Sequence, residues 1–229
     1  MGVAERRERE KRERRESILE AAERVFAERG VVDTTMDHIA QEAELSKGTL
    51  YLYFKNKDEL YVSLAVRCLD DVLERFTKAL AETEGEVGLR RVEALLRTYI
   101  EFGTNYPNRL RVAMNWISSD YSLPRDPDEL VAYREAISRV MVQSMLPFEL
   151  GQRDGSVRGS FDPSAQSFQV WGSTIGLLML RARADETEHR MGGELDFDGL
   201  IEQHIEMVIR GIAADPSLLD GVASTRRQS

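Results

Sequence analysis

The sequence is poor in cysteine and has no long apolar run, and both shortages exclude classes of protein. Its one thiol, Cys68, has no second sulfur to pair with, which excludes a disulfide-stabilised secreted scaffold. The longest mainly apolar run, residues 170–180, is too short and too polar to span a bilayer. The N-terminus, MGVAERRERE, has no apolar stretch typical of a secretory signal. We therefore expect a cytoplasmic protein with no membrane partner.

The residue patterns of common catalytic sites are also missing. His38, His189 and His204 have no metal-ligand spacing with each other or with Cys68. There is no glycine-rich phosphate loop, no Ser/His/Asp arrangement and no pair of carboxylates in a motif context. The sequence therefore predicts no metal, no cofactor and no catalytic residue, and the chain is not expected to be an enzyme.

The net charge of −9 is confined to one part of the chain. Residues 58–229 carry 19 basic and 28 acidic side chains, whereas residues 1–57 carry 12 of each. Within residues 1–16 the seven basic side chains outnumber five acidic ones. An acidic body with a neutral, basic-tipped head repels DNA except through one end. The alternative is a charged tail that is simply solvated and unstructured.

Apolar residues recur at helical spacing through almost the whole chain, and no alternating β pattern of useful length occurs. The fold is therefore predicted to be all-α, with an N-terminal three-helix head on a larger C-terminal helical bundle. Gly30 is expected to cap the first helix, and Asn56 with Glu59 to start a long one. The glycine-rich residues 151–163 are expected to form a mobile loop. Helices are predicted over 16–30, 34–43, 47–54, from 56 through 76, 88–106, 108–121, 129–146, 163–183 and within 196–213.

Two short helices joined by a few residues, followed by a capped long helix, are typical of a helix-turn-helix. The residues themselves, RESILEAAERVFAERGVVDTTMDHIAQEAELSKGTLYLYFKNKDEL over 15–60, closely resemble the DNA-binding head of the tetracycline-repressor (TetR) family. The I-A-x-x-A core, the S-K-G-T-L-Y turn and the F-x-N-K exit occur in order at unbroken spacing. We expect a basic arm over 1–15, a helix-turn-helix domain over 16–60, and an effector-binding and dimerisation domain over 61–229.

The third short helix has the residue types that contact a duplex. Glycine lets a backbone approach a phosphate, lysine supplies a cation, and hydroxyl groups donate hydrogen bonds. Leu52 offers only an apolar contact, for example to a thymine methyl group, and Asp37 lies where a basic group would favour binding. The alternatives are that the tyrosines are packing residues and the lysines a solvated face. The predicted DNA-binding residues are Thr35, Lys47, Gly48, Thr49, Tyr51, Leu52, Tyr53 and Lys57.

The C-terminal bundle is predicted to pair two copies and to hold an effector. Two symmetric half-sites call for a dimer, and the resemblance implies that the last two helices form its interface. Burial of these helices in their own chain is the alternative. The predicted interface residues are Phe168, Trp171, Gly172, Ile175, Gly176, Ile205, Val208, Ile209 and Ile212. The resemblance also implies an effector cavity. The alternative is that its aromatic and methionine residues belong to the ordinary apolar core. The predicted cavity residues are Tyr99, Phe102, Arg109, Met114, Trp116, Met141 and Met145.

The sequence therefore predicts a ligand-responsive transcriptional regulator. We expect it to repress by binding a palindromic double-stranded DNA operator as a homodimer, and to be released by a small, mainly apolar effector. The alternative is an all-helical small-molecule-binding or scaffolding protein whose head has lost DNA function, with Leu52 and Asp37 as symptoms. A mobility-shift titration at low salt separates the two.

Overall fold

The protein is described here from a computed structural model covering residues 2–114, 127–215 and 217. Within these ranges the chain is all-α, as predicted, and its only β-type pairing is the isolated bridge between Val157 and Ala213. The ranges contain α1 (Val3–Asp33), α2 (Met36–Glu42), α3 (Lys47–Tyr51), α4 (Lys57–Glu82), α5 (Gly88–Asn105), α6 (Pro107–Ala113), α7 (Pro127–Asp154), α8 (Pro163–Arg181), α9 (Ala184–Met191) and α10 (Phe197–Ile212).

The chain divides into two compact units. The first comprises Met1–Asp70 and Asn108–Ile137, and the second comprises Asp71–Pro107 and Ser138–Ser229. Helices α4 and α7 each contribute residues to both units. Over the described residues, no helix has the length and apolar character needed to cross a bilayer.

Helix α1 is longer than predicted, because residues 3–15, which lie in the expected basic arm, continue it towards the N-terminus. Residues 4–14 are exposed, and burial of the apolar stripe begins at Ile18. At the other end Gly30 has φ +78°, a left-handed conformation that favours glycine, and breaks the helical geometry before Asp33. The predicted cap residue therefore lies where the regular helix ends.

The first unit is held together by one apolar cluster beneath the short helices. Large side chains such as Tyr61 and Phe54 are almost fully buried in it, and Tyr61 packs edge-on against Phe26 at 6.3 Å between ring centroids. Burial of such aromatic side chains is a large apolar contribution to folding. The cluster consists of Ile18, Leu19, Ala22, Val25, Phe26, Val31, Met36, Ile39, Ala40, Leu50, Phe54, Leu60, Tyr61, Leu64 and Val112.

Helix α4 begins with the predicted cap. The Asn56 Oδ1 accepts a 2.7 Å hydrogen bond from the backbone N–H of Glu59. The Glu59 carboxylate reaches back to the N–H of Lys55 at 2.7 Å, one residue before the partner expected in a capping box. These bonds satisfy backbone groups that a helix start otherwise leaves unpaired.

In the second unit, α5, α8 and α10 pack on one another. The sequence predicts that this helix stops at residue 146, before Pro147. Helix α7 instead continues through Pro147 to Asp154. The Asp154 carboxylate there accepts a 2.7 Å hydrogen bond from the N–H of Gly88. Gly88 lies so close to α7 that a Cβ added to it would be 2.1 Å from the Gly151 nitrogen and 2.6 Å from the Pro147 carbonyl. The crossing of α5 and α7 therefore needs glycine at position 88.

Of the mobile loop expected over 151–163, residues 155–162 lie between α7 and α8 and are tied to other segments by backbone hydrogen bonds. The Arg158 N–H donates to the Ile212 carbonyl at 2.9 Å, and the Ala214 N–H donates to the Ser156 carbonyl at 3.0 Å. The Ser156 hydroxyl accepts from the N–H of Leu89 at 3.0 Å. The prediction overlooked these partners because they lie more than fifty residues away in sequence.

Candidate DNA-binding surface

Helices α2 and α3 form a helix-turn-helix with a serine or threonine cap at each start. The Thr35 hydroxyl accepts a hydrogen bond from the His38 N–H, and the Ser46 hydroxyl accepts one from the Thr49 N–H. Between the helices the chain turns through Glu44, whose φ is +54°. The caps fix where each helix begins, so the side chains of α3 have a defined register.

One side of the α3 segment is buried and the other is open. Leu50 and Phe54, which are four residues apart, are almost fully buried. Leu52 is 81% exposed and Tyr51 is 45% exposed. Tyr53 is half-buried and packs against the apolar cluster. For this tyrosine the alternative interpretation, a packing residue, is therefore partly correct.

Helix α3 is shorter than predicted. It ends at Tyr51 rather than Phe54, because the N–H groups of Leu52 and Tyr53 bond to carbonyls three residues back and tighten the chain into a turn. Leu52 is therefore the C-cap residue, and its side chain stands at the tip of the helix. The exposed groups of this tip are an apolar side chain and an aromatic one.

The first turns of α2 and α3 are joined by an ion pair. Lys47 Nζ lies 2.7 Å from Asp37 Oδ1, and both side chains are more than half exposed. The hydrogen bond to Asp37 and its negative charge raise the pKa of Lys47 above its ordinary value. The ammonium is thus charged and held at the start of α3, with a carboxylate competing for it.

Gly48 is exposed in the first turn of α3. A Cβ added there would meet only the Ser46 hydroxyl, at 3.9 Å. No contact inside the described chain therefore requires glycine at this position.

Lys57 does not have the place predicted for it. Its Nζ donates to the carbonyls of Val31 at 2.7 Å, Val32 at 3.1 Å and Thr34 at 2.9 Å. An ammonium group has three N–H donors, and here all three are used by carbonyls at the end of α1 and by the residue that follows it. The prediction that this ammonium grips a phosphate is corrected: Lys57 stabilises the connection between α1 and α2.

Arg15 is a residue of this region that the sequence analysis missed. Its guanidinium donates to the Tyr53 carbonyl and to the Ser63 hydroxyl, both at 3.0 Å, and lies over the Phe54 ring at 4.1 Å from the centroid. It thereby fixes the chain that leaves α3. A signal was available, since Arg15 precedes buried Ile18 by three residues and shares its helical face.

The residues predicted to line an effector cavity are divided between the two units. Tyr99 and Phe102 are buried in the second unit, Met145 is half-buried there and Met141 is 37% exposed. Met114 is buried in the first unit, and the half-buried Arg109 of the same unit pairs with Glu23. Trp116 lies outside the described residues.

Within the second unit the aromatic residues are linked by specific contacts. The indole N–H of Trp171 donates to the Tyr99 hydroxyl at 3.1 Å, and Tyr99 contacts Phe76 edge-on at 6.4 Å between centroids. The Arg75 guanidinium lies over Phe102 at 5.5 Å from its ring centroid. This gives the second unit a buried aromatic group with a few polar atoms.

The predicted dimer interface is only partly exposed. Phe168, Gly172 and Gly176 lie on an open face of α8, and a Cβ added to either glycine would meet nothing within 4 Å. The aliphatic members of the set are instead buried in their own unit, which corrects that part of the prediction, because a helical stripe looks the same whichever partner covers it. Those buried members are Ile175, Ile205, Val208, Ile209 and Ile212.

The exposed face of α10 carries residues that the sequence analysis did not select. Leu200, Met207 and Gly211 are exposed at helical spacing, and Leu180 is exposed on the packed neighbour α8. With Phe168, Gly172 and Gly176 they are exposed apolar and glycine residues of these two packed helices, and we name the set the α8–α10 face.

Known proteins resemble this chain most clearly in its head. Residues 18–64 match the family described as bacterial regulatory proteins, tetR family. The transcriptional activator FasR of Mycolicibacterium smegmatis is 36% identical over 90 residues, which are 39% of this chain and 40% of FasR. The chain spans about two fifths of the length of such curated relatives. The repressor KstR2 of Rhodococcus jostii is 25% identical over 208 residues, 88% of this chain and 92% of KstR2.

Solved structures share the fold over nearly the whole chain. The transcriptional regulator FadR of Bacillus subtilis, solved in complex with stearoyl-CoA, superposes with a TM-score of 0.69 at 19% identity, covering 86% of this chain and 98% of FadR. Similarity at this level of identity concerns the fold, an N-terminal helix-turn-helix followed by a helical domain.

Proposed function

We propose, since this chain belongs to the tetR family of bacterial regulatory proteins, that it is a ligand-responsive transcriptional repressor. It binds a palindromic operator as a homodimer and is released by a small, mainly apolar effector, in the cytoplasm. Repression is favoured over activation because KstR2, which aligns over most of this chain, is named a repressor. No catalytic role is proposed.

The observation that carries this proposal is the open glycine at the start of α3. Gly48 has room for a side chain in its own molecule, and glycine in a helix costs up to about 1 kcal/mol relative to alanine. A glycine kept there without an internal reason is explained by a close approach from outside. A phosphate backbone beside a helix start is such a partner.

The residues around Gly48 complete the contact surface. Lys47 supplies a cation, the Tyr51 hydroxyl a donor, and Leu52 an apolar tip that fits a thymine methyl group. Lys57 is left out of the surface because its ammonium is used internally. The proposed DNA-contacting residues are Thr35, Lys47, Gly48, Thr49, Tyr51, Leu52 and Tyr53.

We propose that two copies pair through the α8–α10 face. The pairing covers apolar groups that the isolated chain leaves exposed, and the three glycines let helix backbones approach closely. It also supplies the two-fold symmetry that a palindromic operator requires.

For the effector we propose a site beside Tyr99 and Phe102 in the second unit. Stearoyl-CoA, of which only the acyl chain has the apolar character proposed for the effector, is the first ligand to test, because the FadR structure of similar fold contains it. If the proposal is right, stearoyl-CoA raises the melting temperature and weakens operator binding, since an effector must favour the conformation that does not bind DNA. A Phe102→Ala variant should lose both responses while it still binds operator.

The DNA-binding proposal is tested with Gly48. A duplex is first selected by the wild-type protein from a random-sequence library, and binding is then titrated with Gly48→Ala and Gly48→Gln variants. We expect affinity to fall with side-chain size while thermal stability stays the same or rises. An affinity for the duplex that is the same in both variants and the wild-type protein would contradict a close approach of DNA to Gly48. Failure of the wild-type protein to bind any duplex at low salt would favour the alternative, an all-helical ligand-binding protein without DNA function.

A further inference from the structure

One narrow face of the exposed N-terminal turns of α1 carries basic residues only. Arg7, Lys11 and Arg14 recur at i, i+4 and i+7, so they share one face of the helix. Within these turns the acidic residues all lie on the remaining surface: Glu5, Glu8, Glu10, Glu13 and Glu16. We name Arg7, Lys11 and Arg14 the basic stripe.

The two faces differ in how their charges are balanced. On the remaining surface Arg6 pairs with Glu10 at 2.7 Å, and Arg9 pairs with Glu13 at 3.7 Å. The three side chains of the basic stripe are exposed and make no ion pair with the described residues. The stripe is thus a set of positive charges without a direct ion pair among the described residues, on a chain whose net charge is −9.

The stability of the protein does not explain this arrangement. Residues 4–14 are exposed and bury no apolar side chain, and like charges four residues apart, such as Arg7 and Lys11, weaken a helix. An even mixture of charges would serve solubility with less repulsion. A polyanion lying along the stripe would remove the repulsion.

The stripe has a fixed relation to the helix-turn-helix. It continues the buried stripe of α1, because Arg14 is followed by Ile18 and Ala22 at i+4 and i+8. Arg15, next to its last member, donates to the carbonyl of Tyr53, two residues after the end of α3. The basic stripe therefore starts beside the exit of α3 and runs outward from it.

We propose that the N-terminal turns of α1 form a second DNA-contacting element, in which the basic stripe lies along the phosphate backbone next to the duplex segment bound by α3. This inference rests on the proposed function. Residues 3–14 extend about 18 Å at 1.5 Å per residue, and a duplex carries one phosphate charge per about 1.7 Å of its axis. The stripe reads no bases, so it should strengthen binding to any sequence.

The test compares two triple variants of the full chain. One removes the stripe by Arg7→Gln, Lys11→Gln and Arg14→Gln. The matched control changes Arg6→Gln, Arg9→Gln and Arg12→Gln, which removes the same charge from the same turns but off the stripe. Both are titrated, from 50 to about 300 mM salt, with the duplex selected by the wild-type protein and with an unrelated duplex of equal length.

We expect the stripe variant to bind both duplexes at least tenfold more weakly at low salt, with the ratio between them unchanged. The slope of log affinity against log salt should fall by about 0.9 for each phosphate that the variant no longer neutralises, hence by up to about 5 for a dimer. The affinity and the salt slope of the control variant should change much less. Equal weakening in the two variants, or no weakening in the stripe variant, would overturn the inference.

Two further measurements keep the result interpretable. Circular dichroism verifies that both variants retain helix content, since glutamine is a good helix former. Lengthening the selected duplex by about six base pairs at each end should strengthen binding of the wild-type protein but not of the stripe variant; an equal gain in both would also overturn the inference. If the wild-type protein binds DNA but the stripe has no effect, only this inference fails; if it binds none, the proposed function fails.

Discussion

The carboxylate of Asp37 lies 2.7 Å from the ammonium of Lys47, so an exposed ion pair joins the first turns of α2 and α3, the two helices of the proposed DNA-binding surface. A phosphate must compete with this carboxylate for the cation. Asp37→Asn should therefore raise affinity for operator and unrelated DNA alike, by roughly an order of magnitude at low salt for two heads. Fluorescence anisotropy titrations measure it.

The control for Asp37→Asn is Glu42→Gln. Glu42 lies in the last turn of α2, and its carboxylate pairs with Arg24 at 2.7 Å. This substitution changes the net charge by the same amount at another place. An equal gain in both variants would mean that overall charge, and not release of Lys47, sets the affinity.

A change at Lys57 should act on stability. Lys57→Met leaves three carbonyls without their donor, and hydrogen bonds to a charged group are each worth about 1.5–3 kcal/mol. We expect the free energy of unfolding to fall by at least about 2 kcal/mol, measured by urea denaturation followed by circular dichroism.

Lys55→Met is the control for Lys57→Met, because Lys55 lies two residues before Lys57 in the sequence and its side chain is exposed. It should leave the urea midpoint nearly unchanged. A Lys57→Met variant of normal stability with weakened DNA binding would restore the phosphate role first predicted for this residue.

Glycine at position 88 should be indispensable to the second unit. In Gly88→Ala the new methyl group would overlap the backbone of Gly151 and Pro147, which cannot move aside as a flexible side chain can. Overpacking of this kind costs about 1–3 kcal/mol or more, so the melting temperature should drop by roughly 5–10 °C. Gly159→Ala, where a Cβ meets nothing within 4 Å, should melt close to the wild-type protein; equal melting of the two variants would contradict the close crossing.

His204 should make the second unit sensitive to acid. Its Nε2 is 2.9 Å from the Thr174 hydroxyl, which itself donates to the Val170 carbonyl at 2.6 Å, so the imidazole supplies the hydrogen. Burial lowers the pKa of His204 below its ordinary value near 6.5. The unfolded chain therefore takes up this proton more readily, and the contribution to stability is complete above about pH 6.5 and is lost as pH falls below it.

The pH dependence is measured by urea unfolding at several values between pH 7.5 and 5. For one group the loss is at most about 1.4 kcal/mol per pH unit. His204→Gln should be less sensitive to acid over this range, while the exposed His189→Gln should behave as the wild-type protein. Equal acid sensitivity in all three would assign the effect to other groups.

The α8–α10 face should determine the oligomeric state. Met207 is 63% exposed on this face, and Met207→Glu would bury a charge in the proposed interface, so the variant should be monomeric. Met191→Glu introduces the same charge at a methionine that is 72% exposed on α9. Sedimentation or light scattering should find this control dimeric; a dimeric Met207→Glu would place the interface elsewhere.

Much of the head could be predicted from sequence because its signals are local. Capping by Thr35 and Asn56, the break at Gly30 and the burial of Leu50 with Phe54 each depend on residues within a few positions. Hydrophobic periodicity acts over the same short range, and it correctly gave an all-helical chain. The charge pattern of residues 1–16 was also visible, although its continuous helix was not.

Tertiary structure decided which partner each of these groups meets. Sequence alone could not show that the Lys57 ammonium turns to three carbonyls more than twenty residues away, or that Gly88, rather than Gly172, marks the close helix crossing. A lysine, a glycine or an apolar stripe has the same local pattern whether its partner is its own chain, a second copy or a duplex. Only packing in three dimensions selects among these partners, because it determines which groups are already satisfied and which remain exposed.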